Sequence, residues 1–141
     1  MINSSITVLL IEDDDVSSEA VVRSFKKNGL PFRVVPAEDG QVALEILRHQ
    51  HPDRVIAKPY VILLDLNMPR MNGFEFLHEL RADPALNDSI IFVLTTSDSD
   101  DDRLRAYQAH VAGYMVKANV GPQFSKIGNL LNDYRESVEL P

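Results

Sequence analysis

Apolar residues follow two rhythms along this chain: short unbroken runs, and longer stretches with helical spacing. The runs lie at residues 6–11, 60–64 and 90–94, with weaker ones at 32–35 and 113–116. A short continuous apolar run closed by polar positions predicts a strand buried on both faces. Between the runs the spacing predicts helices. One spans 16–28, with Val16, Ala20, Val21 and Phe25 on a shared face, Asp14 or Asp15 at its start and Gly29 as its stop. A second, 41–48, carries Val42, Ala43, Ile46 and Leu47. A third opens at Asn72-Gly73, with Asn72 as N-cap, presents Phe74, Leu77 and Leu80, and closes at Asp83-Pro84. A fourth follows the acidic run Ser97 to Asp102 and carries Leu104, Tyr107 and Val111. The last starts at Gly121-Pro122, carries Phe124, Ile127, Leu131 and Tyr134, and fades by Val138. Pro36 is expected to end the second strand, which reads as lying near a sheet edge. Residues 49–59, with two prolines, read as a long loop.

Strand and helix thus alternate five times. That alternation predicts an α/β fold, with a parallel five-stranded sheet and helices on both faces, joined by right-handed crossovers. The expected form is the doubly wound, flavodoxin-like (βα)5 three-layer sandwich, with strand order 2-1-3-4-5. One domain is expected to occupy 1–141, with no linker, repeat or output domain.

Composition narrows the function. The net charge is −7, which disfavours a basic face for nucleic acid. No apolar run approaches the roughly 20 residues of a membrane helix, and Met1 to Ser5 lack a basic-plus-apolar leader. A cytoplasmic protein that binds neither nucleic acid nor membrane is the expectation. The chain has no cysteine, so disulfides, zinc–thiolate sites and thiol catalysis are excluded.

Four of the predicted strands run into a reactive group: Glu12 and Asp13 after the first, Asp65 after the third, Thr95 at the fourth and Lys117 after the fifth. In a sheet of order 2-1-3-4-5 these groups share one edge, where such folds place their chemistry. Clustered carboxylates repel, and each resists ionisation without a cation. Lys117 supplies one positive charge, and a hard divalent ion such as Mg²⁺ supplies more through oxygen ligands. Together, these groups suit a phosphoryl group, with a carboxylate as nucleophile.

At these residues the chain resembles the receiver domains of bacterial two-component response regulators. The matching pieces are Leu10-Ile-Glu-Asp-Asp14, Leu63-Leu-Asp-Leu-Asn-Met-Pro69, Asn72-Gly73, Val93-Leu-Thr-Thr96 and Gly113-Tyr-Met-Val-Lys117. The resemblance implies that Asp65 accepts a phosphoryl group from a sensor histidine kinase. It implies that Asp13 binds Mg²⁺ directly, Glu12 acts through water and Asn67 offers its backbone carbonyl. It further implies that Thr95 contacts the phosphoryl oxygens, Lys117 pairs with the phosphate and Tyr114 is the aromatic switch. Output then goes through a downstream protein or phosphotransfer partner. The loop at 49–59, the glutamate at position 12 and the tail ending Val138-Glu-Leu-Pro141 resemble single-domain regulators paired with bacterial phytochrome kinases. The family usually places a cis proline after the lysine, where this chain has Ala118. A cis bond without proline costs about 2.5–4 kcal/mol, so Lys117-Ala118 is expected to be trans, or else strained cis. A trans bond leaves the placement of Lys117 open.

Blander and rival readings accompany these. Glu12 to Asp15 alone suits a solvated helix start, and Thr95, Lys117 and Tyr114 are each ordinary when taken singly. Ser97 to Asp102 lack calcium-loop spacing and read as helix N-terminal charge. His49, His51, His78 and His110 read as surface residues. Leu130 and Val138 are left over for a partner or a homodimer contact. An aspartate-nucleophile phosphohydrolase needs a second acid where Asn67 stands, and a flavin module needs a phosphate loop where Glu12 to Asp15 would repel it. A receiver that has lost phosphorylation conflicts with the intact set of Glu12, Asp13, Asp65, Thr95 and Lys117. The reading is a phosphoacceptor switch, not a turnover enzyme.

Overall fold

The computed structural model describes residues 6–141, and Met1 to Ser5, the stretch read as lacking a leader, lie outside them. Five parallel strands form one sheet in the order β2-β1-β3-β4-β5. They are β1 (Thr7–Ile11), β2 (Arg33–Ala37), β3 (Tyr60–Leu64), β4 (Ile90–Thr95) and β5 (Gly113–Val116). The helices between and after them are α1 (Asp15–Lys27), α2 (Gly40–Leu47), α3 (Gly73–Ala82), α4 (Asp100–Gln108) and α5 (Ser125–Ser137). The expected α/β class, element order and strand order all hold.

The alternation of side chains along a strand divides the interior into two cores. Leu9, Ile11, Ile62 and Leu64 face the side of α2 and α3, with Phe76, Leu77 and Leu80. Val8, Leu10, Val61 and Leu63 face the other side, with Val21 and Phe25 of α1 and Ile127 and Leu131 of α5. β1 and β3, with a helical layer on each face, are apolar because both their faces are covered.

The caps explain the helix starts. The Asp14 carboxylate accepts the Val16 N–H, and Asn72 with Glu75 forms a reciprocal capping box. Gly29 adopts φ +65°, the left-handed stop expected of it.

Four local expectations need correction. Pro36 lies inside β2 and does not end it. β2 is an edge strand, Arg33 donates to Ile6 across the inner side, and Pro36 faces outward, where no N–H is needed. The Pro36 carbonyl accepts from Arg54 Nη1 at 3.1 Å, so the loop at 49–59 touches this edge, while Pro36 itself stays exposed. Val16 is 75% exposed, because α1 turns Val21 and Phe25 inward and leaves its first turn in solvent. On α4 only Ala106 is buried, Leu104 and Tyr107 stand exposed, and Val111 follows the helix. Finally, α5 begins at Ser125. Gly121-Pro122 opens a separate 3₁₀ turn, and Phe124 at φ +59° breaks the helix from it.

Arg81 fastens the far end of α3. Its guanidinium donates to the carbonyls of Ala109 (2.8 Å), Asn87 (2.8 Å), Ser89 (2.9 Å) and His110 (2.9 Å). This ties α3 to the start of β4 and the end of α4. Arg81→Met removes all four bonds while keeping an apolar stem. It is expected to lower the unfolding free energy by about 2 kcal/mol, seen as a lower urea midpoint at unchanged slope.

Candidate functional site

The C-terminal ends of the strands hold an acidic cluster. The N–H of Glu12 donates to the Ala37 carbonyl at 3.0 Å, and that of Asp65 donates to the Ile11 carbonyl at 3.0 Å. The sheet ladder therefore extends one residue past β1 and past β3 and fixes both backbones side by side. Glu12 and Asp65 are buried, whereas Asp13 is exposed. One carboxylate oxygen from each of the three lies within 4.8 Å of the others.

Lys117 reaches this cluster. Its Nζ donates to Glu12 Oε1 at 2.6 Å and lies 3.9 Å from Asp65 Oδ2 and 3.5 Å from Ser17 Oγ. The Lys117-Ala118 bond is trans, since the cis peptide bond among the described residues is Lys58-Pro59. Lys117 opens a 3₁₀ turn through Asn119. A proline at position 118 would disfavour helical geometry at Lys117. Ala118 permits it, and the long side chain still spans to the carboxylates.

The remaining predicted residues sit around this centre. Asp65 Oδ1 accepts the Asn67 N–H at 3.3 Å, and Asn67 itself is exposed. Thr95 closes β4, is fully buried, and its Oγ1 accepts the Ser97 N–H at 3.2 Å. Tyr114 on β5 donates its hydroxyl to the Ser97 carbonyl at 3.0 Å. Gly73 holds α3 close to the strand end: a Cβ there would meet the Asp65 carbonyl and Leu66 Cα at 2.7 Å.

Several residues here escaped the sequence reading. Ser97 joins Thr95 to Tyr114, and its Oγ donates to Asp102 Oδ2 at 2.6 Å. Its signal was its place at the head of an acidic run, of which Asp100, Asp101 and Asp102 do fill the first turn of α4. Asp39, nine-tenths or more buried, pairs with Arg70. Arg105 of α4 lies over the Phe74 ring at 3.9 Å, beside Asn67 and Asp102 at the mouth of the cluster.

Electrostatically the centre is short of positive charge. Burial pushes the Glu12 carboxyl up from 4.5 to about 7, and the Asp65 charge pushes the same way, against the Lys117 hydrogen bond. Between those two values the folded protein holds a proton that the unfolded chain has released. The metal-free fold therefore loses stability as pH rises through this window, and the penalty is complete above about pH 7. The donor set answers to a divalent ion: oxygen ligands, three of them carboxylates, close together and undercompensated. A divalent ion held by this cluster would compete with the Glu12 proton below pH 7. Its apparent dissociation constant is expected to rise about tenfold from pH 8 to pH 6, measured by titration calorimetry.

A family model for the response regulator receiver domain matches residues 8–126. The chain belongs to that family. Phosphorylation by a kinase is the function of such receivers. This receiver is 33% identical to response regulator Rcp1 from Synechocystis over 135 residues, 95% of this chain and 92% of Rcp1. The crystal structure of the phosphorylated cyanobacterial phytochrome response regulator RcpA covers 97% of the receiver and 99% of its own chain, at 32% identity and a TM-score of 0.84. A Mn²⁺-bound form of Rcp1 covers 96% of the receiver and 99% of its own chain, at 30% identity and a TM-score of 0.82. Among the described residues no helix is long and apolar enough to cross a membrane.

Proposed function

We propose that this receiver takes a phosphoryl group onto Asp65 from a sensor histidine kinase, with Mg²⁺ as the metal. The observation that carries this reading is the convergence of Glu12, Asp13 and Asp65 within 4.8 Å, with the Lys117 ammonium against two of them. Asp13, Asp65 and the Asn67 carbonyl would hold the ion, with Glu12 as the further carboxylate beside it. The bound ion supplies positive charge to the phosphoryl oxygens during transfer.

The chain's own residues do the rest. An Asp65 carboxylate oxygen attacks phosphorus, a new O–P bond forms, and the donor's P–N bond breaks. Lys117, whose Nζ lies 3.9 Å from Asp65 Oδ2, leaves Glu12 for the phosphoryl oxygens. Thr95 Oγ1 turns to the same group, which withdraws the acceptor from the Ser97 N–H. Ser97 also holds the Tyr114 hydroxyl, so its shift frees that ring and alters the face formed by α4 and β5. The output is contact with a downstream protein. Residues 1–141 act as one domain in the cytoplasm, without turnover of other substrates. That RcpA is a phytochrome response regulator supports a bacteriophytochrome as the kinase, and Leu130 and Val138, about 40% exposed, offer a contact for a second copy.

The test is direct. With Mg²⁺ and a small acyl phosphate, the intact mass is expected to rise by one phosphoryl group, located on the peptide that holds Asp65. No gain with that donor and with a panel of histidine kinases would sink the reading.

A further inference from the structure

The loop from Leu66 to Asn72 carries the Asn67 backbone to the acidic cluster, and something must hold that loop in place. Its ends are closed by the Gly73 N–H, which donates to the Leu66 carbonyl at 3.0 Å. Its middle is held from outside, by the corner between β2 and α2. There Asp39, 1% exposed, accepts the Val42 N–H on Oδ1 at 3.0 Å and the Arg70 guanidinium on Oδ2. The next residue, Gly40, donates to the Met71 carbonyl at 3.2 Å, and a Cβ at Gly40 would press on the Met71 side chain at 2.9 Å. Arg70 itself adopts φ +62°, a left-handed conformation uncommon for a non-glycine residue.

A buried carboxylate needs both hydrogen bonds and a counter-charge. A helix cap alone uses one oxygen of Asp39, and the second is spent on Arg70. We infer that Asp39 and Arg70 form a strap that positions the Leu66–Asn72 loop, and through it the Asn67 backbone, for the divalent metal; both are positioning residues. The inference rests on the metal reading of the acidic cluster. Asn67 is three residues from Arg70, and its N–H already bonds Asp65 Oδ1 at 3.3 Å. A released loop would move the Asn67 carbonyl and the Asp65 carboxylate together, and sub-ångström errors in such a site weaken it.

Two substitutions separate a strap from a helix cap. Arg70→Ala leaves the cap untouched, and Asp39→Asn keeps it, since asparagine caps as well as aspartate. Both are expected to raise the Mg²⁺ dissociation constant about tenfold by calorimetry, the size of effect seen when supports of metal ligands are removed. Amide exchange at Asn67 in the metal-free protein is expected to speed up in both, and Arg70→Lys is expected to restore most of the affinity. Wild-type protein that takes up no Mg²⁺ overturns the metal reading and the strap with it. Wild-type protein that binds Mg²⁺, beside an Arg70→Ala protein that binds it equally well, overturns the strap alone.

Discussion

Asp65→Asn is expected to take up no phosphoryl group from any donor, yet to be more stable than the wild type at pH 8 in its metal-free form. The first half follows from chemistry. An amide nitrogen is no nucleophile under these conditions, and the amide oxygen lacks the negative charge that drives attack on phosphorus. The substitution is isosteric, so the ladder bond to the Ile11 carbonyl and the strand end survive. The second half follows from the charge balance. Glu12 and Asp65 are both buried and share one ammonium. The Asp65 charge is one of the causes that raise Glu12 to about 7, so its removal lets Glu12 ionise more easily beside Lys117. Relief of like-charge repulsion at this depth is expected to contribute about 1 kcal/mol. Intact mass after donor treatment reads the first effect, and urea unfolding without metal reads the second. Saturating Mg²⁺ is expected to reverse the order of stability, because the wild type keeps one more carboxylate ligand. An Asp65→Asn protein phosphorylated at the wild-type rate would place the acceptor elsewhere.

Lys117→Met is expected to slow phosphoryl transfer about 10²–10³-fold, the cost of removing one preorganised charge from a transition state. The Nζ of Lys117 stands 2.6 Å from Glu12 and 3.9 Å from Asp65, within reach of a group carried on Asp65. Methionine keeps the length and apolar stem while deleting the charge. Without the ammonium, the Lys117 hydrogen bond no longer lowers Glu12, whose pKa moves above its present value of about 7. The slowing is therefore expected to be greater at pH 7 than at pH 9. Lys117→Arg is expected to rescue little, since a planar fork does not reproduce a compact ammonium between three oxygens. Quenched time courses of intact mass, run at both pH values with Mg²⁺ present, measure all three effects.

The sheet and its reactive edge were legible because strands buried on both faces write themselves as unbroken apolar runs. Tyr60 to Leu64 could hardly be anything else, and Asp65 inherits its position from them. The order of the strands then brought Glu12, Asp13 and Lys117 to one place without any long-range signal in the sequence. What misled was local. Pro36 reads as a terminator, yet on an edge strand an outward residue needs no N–H. Leu104 and Tyr107 have helical spacing but stand in solvent, because α4 buries only Ala106 against the sheet. Phe124 has the spacing of α5 and not its backbone, since Gly121-Pro122 makes a turn of its own first. Asp39 was invisible for a different reason: its partner Arg70 is distant in sequence, and only the fold brings their loops together. The reach of Lys117 across a trans Ala118 bond was likewise open until its Nζ was placed.

The outward edge of β2 has a consequence for how copies of this protein can meet. A free strand edge is a template, and a second chain can lengthen the sheet by lying against it. Here the template is spoiled twice over. Pro36 withholds a donor, and Arg54, from the 49–59 loop, occupies the carbonyl of that same residue. Sheet extension from the β2 side, with the fibrous growth to which it leads, is thereby hindered, which leaves β5, at the opposite end of the sheet, as the other edge.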